Sequence, residues 1–229
     1  IMGGFILDMD NLIYKLKKRK AEPIGILNKY ATLIPLIKID NRWEIIFELR
    51  ANTLKSQPGE ISLPGGGLEK GESFKDAALR ETVEELGIGY ENLKYIGKLN
   101  YLISYGNVMI HCFLGLIDGI DIDDIKPNPD EVDHIFTVPI DFFMENPPKE
   151  YFLNIKLEDN EDFPYHLIPN GINYPWKTGR HSILFYEYGE YIIWGYTAKM
   201  IKDFIKVIKE LEIDTFKNSY DAQSAIDEV

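Results

Sequence analysis

The side chains best suited to chemistry in this sequence are three glutamates, Glu81, Glu84 and Glu85. Positions i, i+3 and i+4 lie on one side of a helix, so the spacing predicts three carboxylates grouped on a single turn. Arg80 can reach Glu84, and no Lys lies in that turn. Oxygen ligands with unbalanced negative charge are what hard divalent cations bind. An isolated Glu-x-x-Glu-Glu would be read instead as a solvated acidic face on a surface helix.

The residues around these glutamates predict a helix behind a glycine loop. Ser73 is a suitable N-cap, and Asp76 places an acid near the positive end of the helix dipole. Gly87 is a suitable end, because glycine adopts a left-handed backbone at little cost. The loop at Pro64–Gly67 lacks bulky side chains, so its backbone could approach a phosphate or offer a carbonyl to a metal. The apolar face of the predicted helix comprises Phe74, Ala78, Leu79, Val83 and Leu86.

Taken together, these positions resemble the Nudix box. The matching residues are Gly66, Glu72, Arg80, Glu81, Glu84, Glu85, Gly87 and Ile88. Thr82 departs from the pattern, since the family usually carries a bulkier aliphatic residue there. The box is long and specific, so the resemblance extends over 66–88 without a change of spacing. It implies a Nudix hydrolase with an α/β/α sandwich, a mixed β-sheet and a loop–helix–loop catalytic box.

The same resemblance implies roles for single residues. Nudix hydrolases cleave a diphosphate linked to another moiety, using Mg²⁺ or Mn²⁺. Glu81 and Glu85 would be the main metal ligands and Glu84 would assist, with the Gly66 carbonyl as a further donor. Arg80 would hold the glutamates by ion pairs. Glu72 would orient the ligands from just outside the metal shell.

A second resemblance lies immediately before the box. Nudix hydrolases acting on coenzyme A carry a spaced signature there, which Arg50-Ala51, Lys55, Gly59 and Leu63–Gly66 follow. The departures are Lys55 for Arg, Leu63 for Phe, and Glu48 where the family prefers Thr. Lysine keeps the charge but loses the bidentate fork of arginine. The substrate-binding residues expected from this stretch are Arg50, Lys55, Gln57 and Gly65.

Two later segments are also similar to the coenzyme A group. They are Glu131–Pro139 and Ile193–Ala198. Glu131 is a candidate general base or extra metal ligand, and an ordinary loop carboxylate is the alternative. Thr197 is the expected cap of the last helix.

The remaining pattern predicts a single domain over 1–213. A helical extension is expected at about 8–20, with Asp8 or Asp10 as its cap. Apolar, β-branched runs at 30–39 and 43–49 predict a hairpin, as do 93–104 with 108–117 and 182–188 with 191–194. The segment 149–180 has no clear period and is expected to be a long functional loop. Residues 214–229 are expected to be a polar tail.

Composition limits the partners. The 229 residues carry a net charge of −12, which argues against nucleic acid and anionic membranes as partners. No run approaches the length of a membrane span. The single cysteine, Cys112, fits a reducing, cytoplasmic setting. We therefore expect a small-molecule substrate, and a homodimer stays open.

The expected function is metal-dependent hydrolysis of coenzyme A or its derivatives to 3′,5′-ADP and 4′-phosphopantetheine. The alternatives are a Nudix diphosphatase for ADP-ribose, NADH or an oxidised nucleotide, and a non-catalytic nucleotide sensor. The intact set of Arg80, Glu81, Glu84 and Glu85 argues against a sensor.

Overall fold

The computed structural model describes residues 7–158, 160 and 162–224, with backbone only for 212–224. Four helices and ten strands are present in these ranges. The helices are α1 (Met9–Lys18), α2 (Phe74–Leu86), α3 (Ile140–Glu145) and α4 (Gly195–Ser224). The strands are β1 (Asn28–Ile39), β2 (Arg42–Arg50), β3 (Ile61–Ser62), β4 (Gly65–Gly67), β5 (Leu93–Ile103), β6 (Val108–Ile117), β7 (Val132–Pro139), β8 (Lys149–Ile155), β9 (Gly179–Tyr188) and β10 (Tyr191–Trp194).

The central sheet is mixed, as the sequence predicted. Its order is β3-β2-β1-β6-β5, with β4 beside β1 and β7 beside β2. β1 and β6 run parallel, whereas the other pairs are antiparallel. The β1–β2 hairpin turns through Asp40 and Asn41, both with positive φ (46° and 66°). Such turns match the twist of paired strands, which explains why Asp and Asn stand there.

Both faces of the central sheet are covered, so its inner strands are continuously apolar. Alternate side chains of β1 point to opposite faces. Leu33 packs towards α2, with Ala77 and Ala78. Ile34 packs towards α4, with Ile201. The result is the predicted α/β/α sandwich, with α2 on one face and α3 and α4 on the other.

A second, three-stranded sheet has the order β10-β9-β8. The prediction of a loop across 149–180 is therefore wrong at its start, because β8 pairs with β9 from Lys149↔Phe185 to Ile155↔Gly179. The sequence of β8 lacked the alternation that marks a half-buried strand, and all but Ile155 of its residues are exposed. Pairing with β9 rather than burial makes this segment a strand.

The ends of two helices differ from expectation. Thr197 lies inside α4, and its hydroxyl donates to the Ile61 carbonyl (3.2 Å) rather than capping the helix. The backbone of α4 continues to Ser224, so the expected boundary before residue 214 falls within a helix. α1 lies within the predicted 8–20 and is capped by Asp8, whose side chain accepts from the Asn11 N–H. Across the described ranges, no helix combines the length and the apolar character needed to cross a membrane.

Candidate active site

Helix α2 begins and ends where its sequence requires. The Ser73 hydroxyl accepts from the Asp76 N–H (3.2 Å), satisfying one of the free donors of the first turn. Gly87 ends the helix with φ 64°, and a Cβ at this position would overlap the Lys126 carbonyl. Thr82, which departs from the family pattern, is fully buried and donates to the Ala78 carbonyl (2.7 Å). A polar residue is tolerated there because its hydroxyl is satisfied within the helix.

The glycine segment before α2 is a short strand rather than the predicted loop. β4 pairs with β1, with Gly66 opposite Ala31. The Gly65 N–H donates to Glu85 Oε2 (2.7 Å), which links this strand to the last turn of α2. A Cβ on Gly66 would overlap the Glu81 carboxylate. Glycine at 66 thus leaves the space that the Glu81 side chain occupies.

Arg80 gathers the acidic residues of the box. Its Nε and Nη2 donate to the two carboxylate oxygens of Glu72 (3.0 and 3.1 Å). Its Nη1 lies 2.9 Å from Glu81 Oε1 and 3.1 Å from Glu84 Oε2. These contacts, Glu72 foremost, raise the pKa of the guanidinium and lower that of the Glu72 carboxyl. One guanidinium therefore holds the carboxylates of Glu72, Glu81 and Glu84 together.

The carboxylates differ in burial. Glu85 is 4% exposed, whereas the Glu84 side chain is 54% exposed and pairs with Arg80 at the edge of the site. Burial raises the pKa of Glu85 to about 8, and the charges of Glu81 and Glu131 act in the same direction. Burial also raises the pKa of Glu81, against the opposing effect of Arg80. When these carboxylates are ionised, they therefore carry more negative charge than their protein partners neutralise.

Sequence reasoning missed one residue of the carboxylate cluster, Glu48. Glu48 on β2 is 1% exposed, and burial followed by the charge of Glu85 raises its pKa well above the ordinary value. In the sequence, Glu48 stands out only as a departure from the coenzyme A signature. A glutamate within the apolar run Ile45–Leu49 was the available signal, because buried carboxylates are rare without a partner.

Glu131 and Arg50 lie beside this cluster. The charge of Glu131 acts on Glu48, Glu81 and Glu85, although it enters from the loop before β7. The Glu131 carbonyl accepts from the Ala51 N–H (2.9 Å), which ties that loop to the end of β2. The charge of Arg50 lowers the pKa of Glu48 and of Glu85.

A cavity of about 500 Å³ opens beside the box. Its lining includes Arg50, Gln57, Gly65 and Gly66, so these predicted positions do come together. Lys55 is exposed and does not contribute to the lining. The lining also includes residues from the β5–β6 turn, the second sheet and the start of α4, namely Tyr105, Leu153, His181, Ile183, Trp194, Gly195, Tyr196 and Thr197. This volume lies within the usual range for a small-molecule site.

The donor set fits a divalent cation. Within the described residues no three His, Cys, Asp or Glu side chains form a ready-made coordination shell. Glu81 and Glu85 are instead turned towards Arg80 and Gly65. Glu48 Oε1 is nevertheless buried without a hydrogen-bond partner. A cation would offset the repulsion among these carboxylates, and hard oxygen donors suit Mg²⁺ and Mn²⁺.

Comparison with known proteins agrees with this geometry. The NUDIX domain family matches residues 31–156, and the chain belongs to that family. Its members generally use divalent metal ions and act on small molecules. The chain is thus a Nudix hydrolase with the Nudix sandwich fold.

Three relatives are informative. Nudix hydrolase 3 of Caenorhabditis elegans is 27% identical over 75% of this chain and 69% of its own length. The peroxisomal coenzyme A diphosphatase NUDT7 of Mus musculus is 26% identical over 87% of this chain and 78% of its own. The mitochondrial coenzyme A diphosphatase NUDT8 of Homo sapiens is 24% identical over 73% of this chain and 64% of its own.

Proposed function

We propose that this protein hydrolyses the diphosphate bond of coenzyme A or its derivatives, with Mg²⁺ or Mn²⁺, to 3′,5′-ADP and 4′-phosphopantetheine. The observation that carries the proposal is the meeting of three separate segments at one site. Arg50–Gly66 and Ile193–Ala198 both contribute to the cavity lining, and Glu131 acts on the box carboxylates from a third segment. These are the segments whose sequences resemble the coenzyme A group.

The relatives support the same substrate. Two of the three are named coenzyme A diphosphatases, and their similarity extends well beyond the box. One of them aligns with 87% of this chain. The coenzyme A signature before the box and the Ile193–Ala198 segment are the parts of this chain that would distinguish its substrate from those of other Nudix hydrolases.

Different residues of this chain would have different roles in the hydrolysis. When bound, the cation neutralises the diphosphate and acidifies a water. Glu81 or Glu131 accepts the proton of the attacking water, since both carboxylates belong to one cluster. Arg80 keeps Glu81 and Glu84 in place through its ion pairs. Gly65 and Gly66 line the cavity and would offer the diphosphate a backbone without side chains of its own.

The cavity accounts for the rest of the ligand. Its aromatic side chains, Tyr105, His181, Trp194 and Tyr196, offer flat surfaces suited to an adenine ring. Leu153 and Ile183 offer apolar surface to the pantetheine arm or an attached acyl chain. Arg50 lines the cavity, and its guanidinium would pair with a phosphate of the ligand.

The test is product analysis with the purified protein. Coenzyme A, acetyl-coenzyme A, ADP-ribose, NADH and 8-oxo-dGTP are incubated separately with Mg²⁺ or Mn²⁺, and the products are separated by chromatography. Formation of 3′,5′-ADP with the highest kcat/KM on coenzyme A or its thioester is expected. Faster cleavage of ADP-ribose, NADH or 8-oxo-dGTP overturns the substrate while keeping the Nudix activity.

The cellular compartment and the partners of this protein are predictions from its sequence. The two diphosphatase relatives are named peroxisomal and mitochondrial, so the cytoplasmic setting rests on the single cysteine alone. Exclusion of nucleic acid rests on the net charge of −12. The homodimer stays open.

A further inference from the structure

Glu48 lies where the central sheet faces the box helix. Side chains of β2 alternate between the two faces of the sheet. Phe47 packs towards α4 and Ile46 packs with Leu86 of α2. Glu48 therefore faces α2, on the side of the sheet that carries Glu85. In the sheet it stands opposite Ser62 on β3 and Ile135 on β7, so strands enclose it on both sides.

The Glu48 carboxylate lacks the partners that burial requires. Its Oε2 receives one long hydrogen bond from the Ser62 hydroxyl (3.5 Å), and its Oε1 has none. Leaving a buried acceptor unpaired costs roughly 1–3 kcal/mol, and more when the group is charged. An apolar residue or a threonine would avoid this cost. The packing of the sheet therefore does not explain why a glutamate stands at position 48.

The charges around Glu48 do not supply the missing partner. Glu85 and Glu131 are acidic and oppose the ionisation of Glu48. Arg50 favours it, yet no ion pair joins Arg50 to Glu48 in the described part of the chain, and Arg50 Nε is itself buried without a partner. Glu81 and Glu85 have partners in Arg80 and the Gly65 N–H. Glu48 Oε1 is therefore a buried carboxylate oxygen left free beside the box.

We propose that Glu48 is a metal ligand of this site, supplying an oxygen from the sheet to a divalent cation held by the box glutamates. The proposal rests on the metal dependence assigned under the proposed function. A cation would satisfy the unpaired oxygen and offset the repulsion between Glu48 and Glu85. The added carboxylate increases the negative charge available to the cation and so tightens its binding.

The test measures binding of Mn²⁺ alone, without substrate, by titration calorimetry and by the electron paramagnetic resonance signal of free Mn²⁺. Glu48→Gln keeps the size of the side chain and removes its charge. Glu44→Gln is the matched control, since it removes one charge from the same strand roughly 13 Å away at 3.3 Å per residue. Glu48→Thr is a second variant, because threonine is smaller and is readily accommodated in a β-strand.

Glu48→Gln is expected to raise the Mn²⁺ dissociation constant about tenfold or more, as loss of a group in or next to the ligand shell does. Its melting temperature without metal should equal or exceed that of the wild type, because the repulsion between Glu48 and Glu85 is removed. Glu44→Gln should leave Mn²⁺ binding unchanged.

Three outcomes overturn the proposal. Wild-type Mn²⁺ affinity in folded Glu48→Gln and Glu48→Thr means that Glu48 is not a ligand, with the proposed function untouched. Failure of both variants to fold means that Glu48 is required for the stability of the central sheet rather than for metal binding. Absence of Mn²⁺ binding in the wild type removes the metal site and the proposed function together.

Discussion

Glu85 accepts a hydrogen bond from the Gly65 N–H over 2.7 Å, and this contact joins the last turn of the box helix to the glycine strand. Glu85 is 4% exposed, so the bond lies in a medium where charge is poorly screened. One backbone donor does not balance a carboxylate with acidic neighbours at Glu81 and Glu131. The site is therefore arranged to gain from a cation, and four expectations follow from its geometry.

Mg²⁺ or Mn²⁺ should raise the melting temperature of the protein. A ligand that binds only the folded state stabilises it by about 2.7 kcal/mol at one hundred times its dissociation constant. Glu85→Gln should lose most of this stabilisation and lower kcat by orders of magnitude, with the circular dichroism spectrum kept. Glu69→Gln is the control, because Glu69 is exposed at the edge of the box. Wild-type turnover by Glu85→Gln would reject the role of Glu85.

Without metal, the protein should become less stable as pH rises from about 4.5 to about 8. Glu85 has an ordinary pKa of 4.5 and a folded-state pKa of about 8. Between these values the folded protein keeps a proton that the unfolded chain releases, so the stability from that proton is complete below pH 4.5 and is lost by pH 8. Melting temperatures measured in EDTA should fall across this window, and less steeply in Glu85→Gln. If the melting temperatures of the wild type and Glu85→Gln fell equally with pH, Glu85 would not be the group whose pKa is raised.

Gly66→Ala should lower activity far more than Gly67→Ala. A Cβ on Gly66 would overlap the Glu81 carboxylate, whereas a Cβ on Gly67 would only touch Tyr30 Cε1 at 3.9 Å. Neither glycine has a positive φ, so alanine brings no backbone strain at either position. We expect Gly66→Ala to lose at least tenfold in kcat with little change in melting temperature. Equal kcat for the two variants would show that Glu81 can move without consequence.

The 3′-phosphate of coenzyme A should be recognised by Arg50. A site built to pair this phosphate rejects ligands that lack it, because the Arg50 guanidinium is then left without a partner. Coenzyme A should have a higher kcat/KM than dephospho-coenzyme A. Arg50→Gln should reduce the ratio of these two kcat/KM values. Lys55→Gln should change the ratio less, because Lys55 lies outside the cavity lining. Equal efficiencies in the wild type would end the 3′-phosphate argument and leave the Nudix assignment intact.

The site was largely predictable because its main residues are local. Glu72, Arg80, Glu81, Glu84 and Glu85 lie within one helix and the turn before it, where spacing along the chain sets the spacing in space. The cap at Ser73 and the end at Gly87 are also local, and both are where the sequence predicted them. The mixed sheet followed from the family that these residues indicate.

Three features needed the tertiary structure. β8 became visible only through its partner β9, because a strand exposed along nearly all its length has no alternating pattern to read. Thr197 was expected to cap α4, but the Ile61 carbonyl on β3, far away in the sequence, lies within reach of its hydroxyl. The meeting of Arg50, Trp194 and Tyr196 at one cavity depends on how the two sheets pack.

By itself the sequence determined the family, the box helix with its caps and the grouping of Glu81, Glu84 and Glu85 on that helix, because each depends on residues within a few turns of one another. Only the tertiary structure decided that Glu48 belongs with them. Glu48 is far from the box along the chain, and its burial, its unpaired oxygen and the charge of Glu85 beside it arise when β2 packs beneath α2.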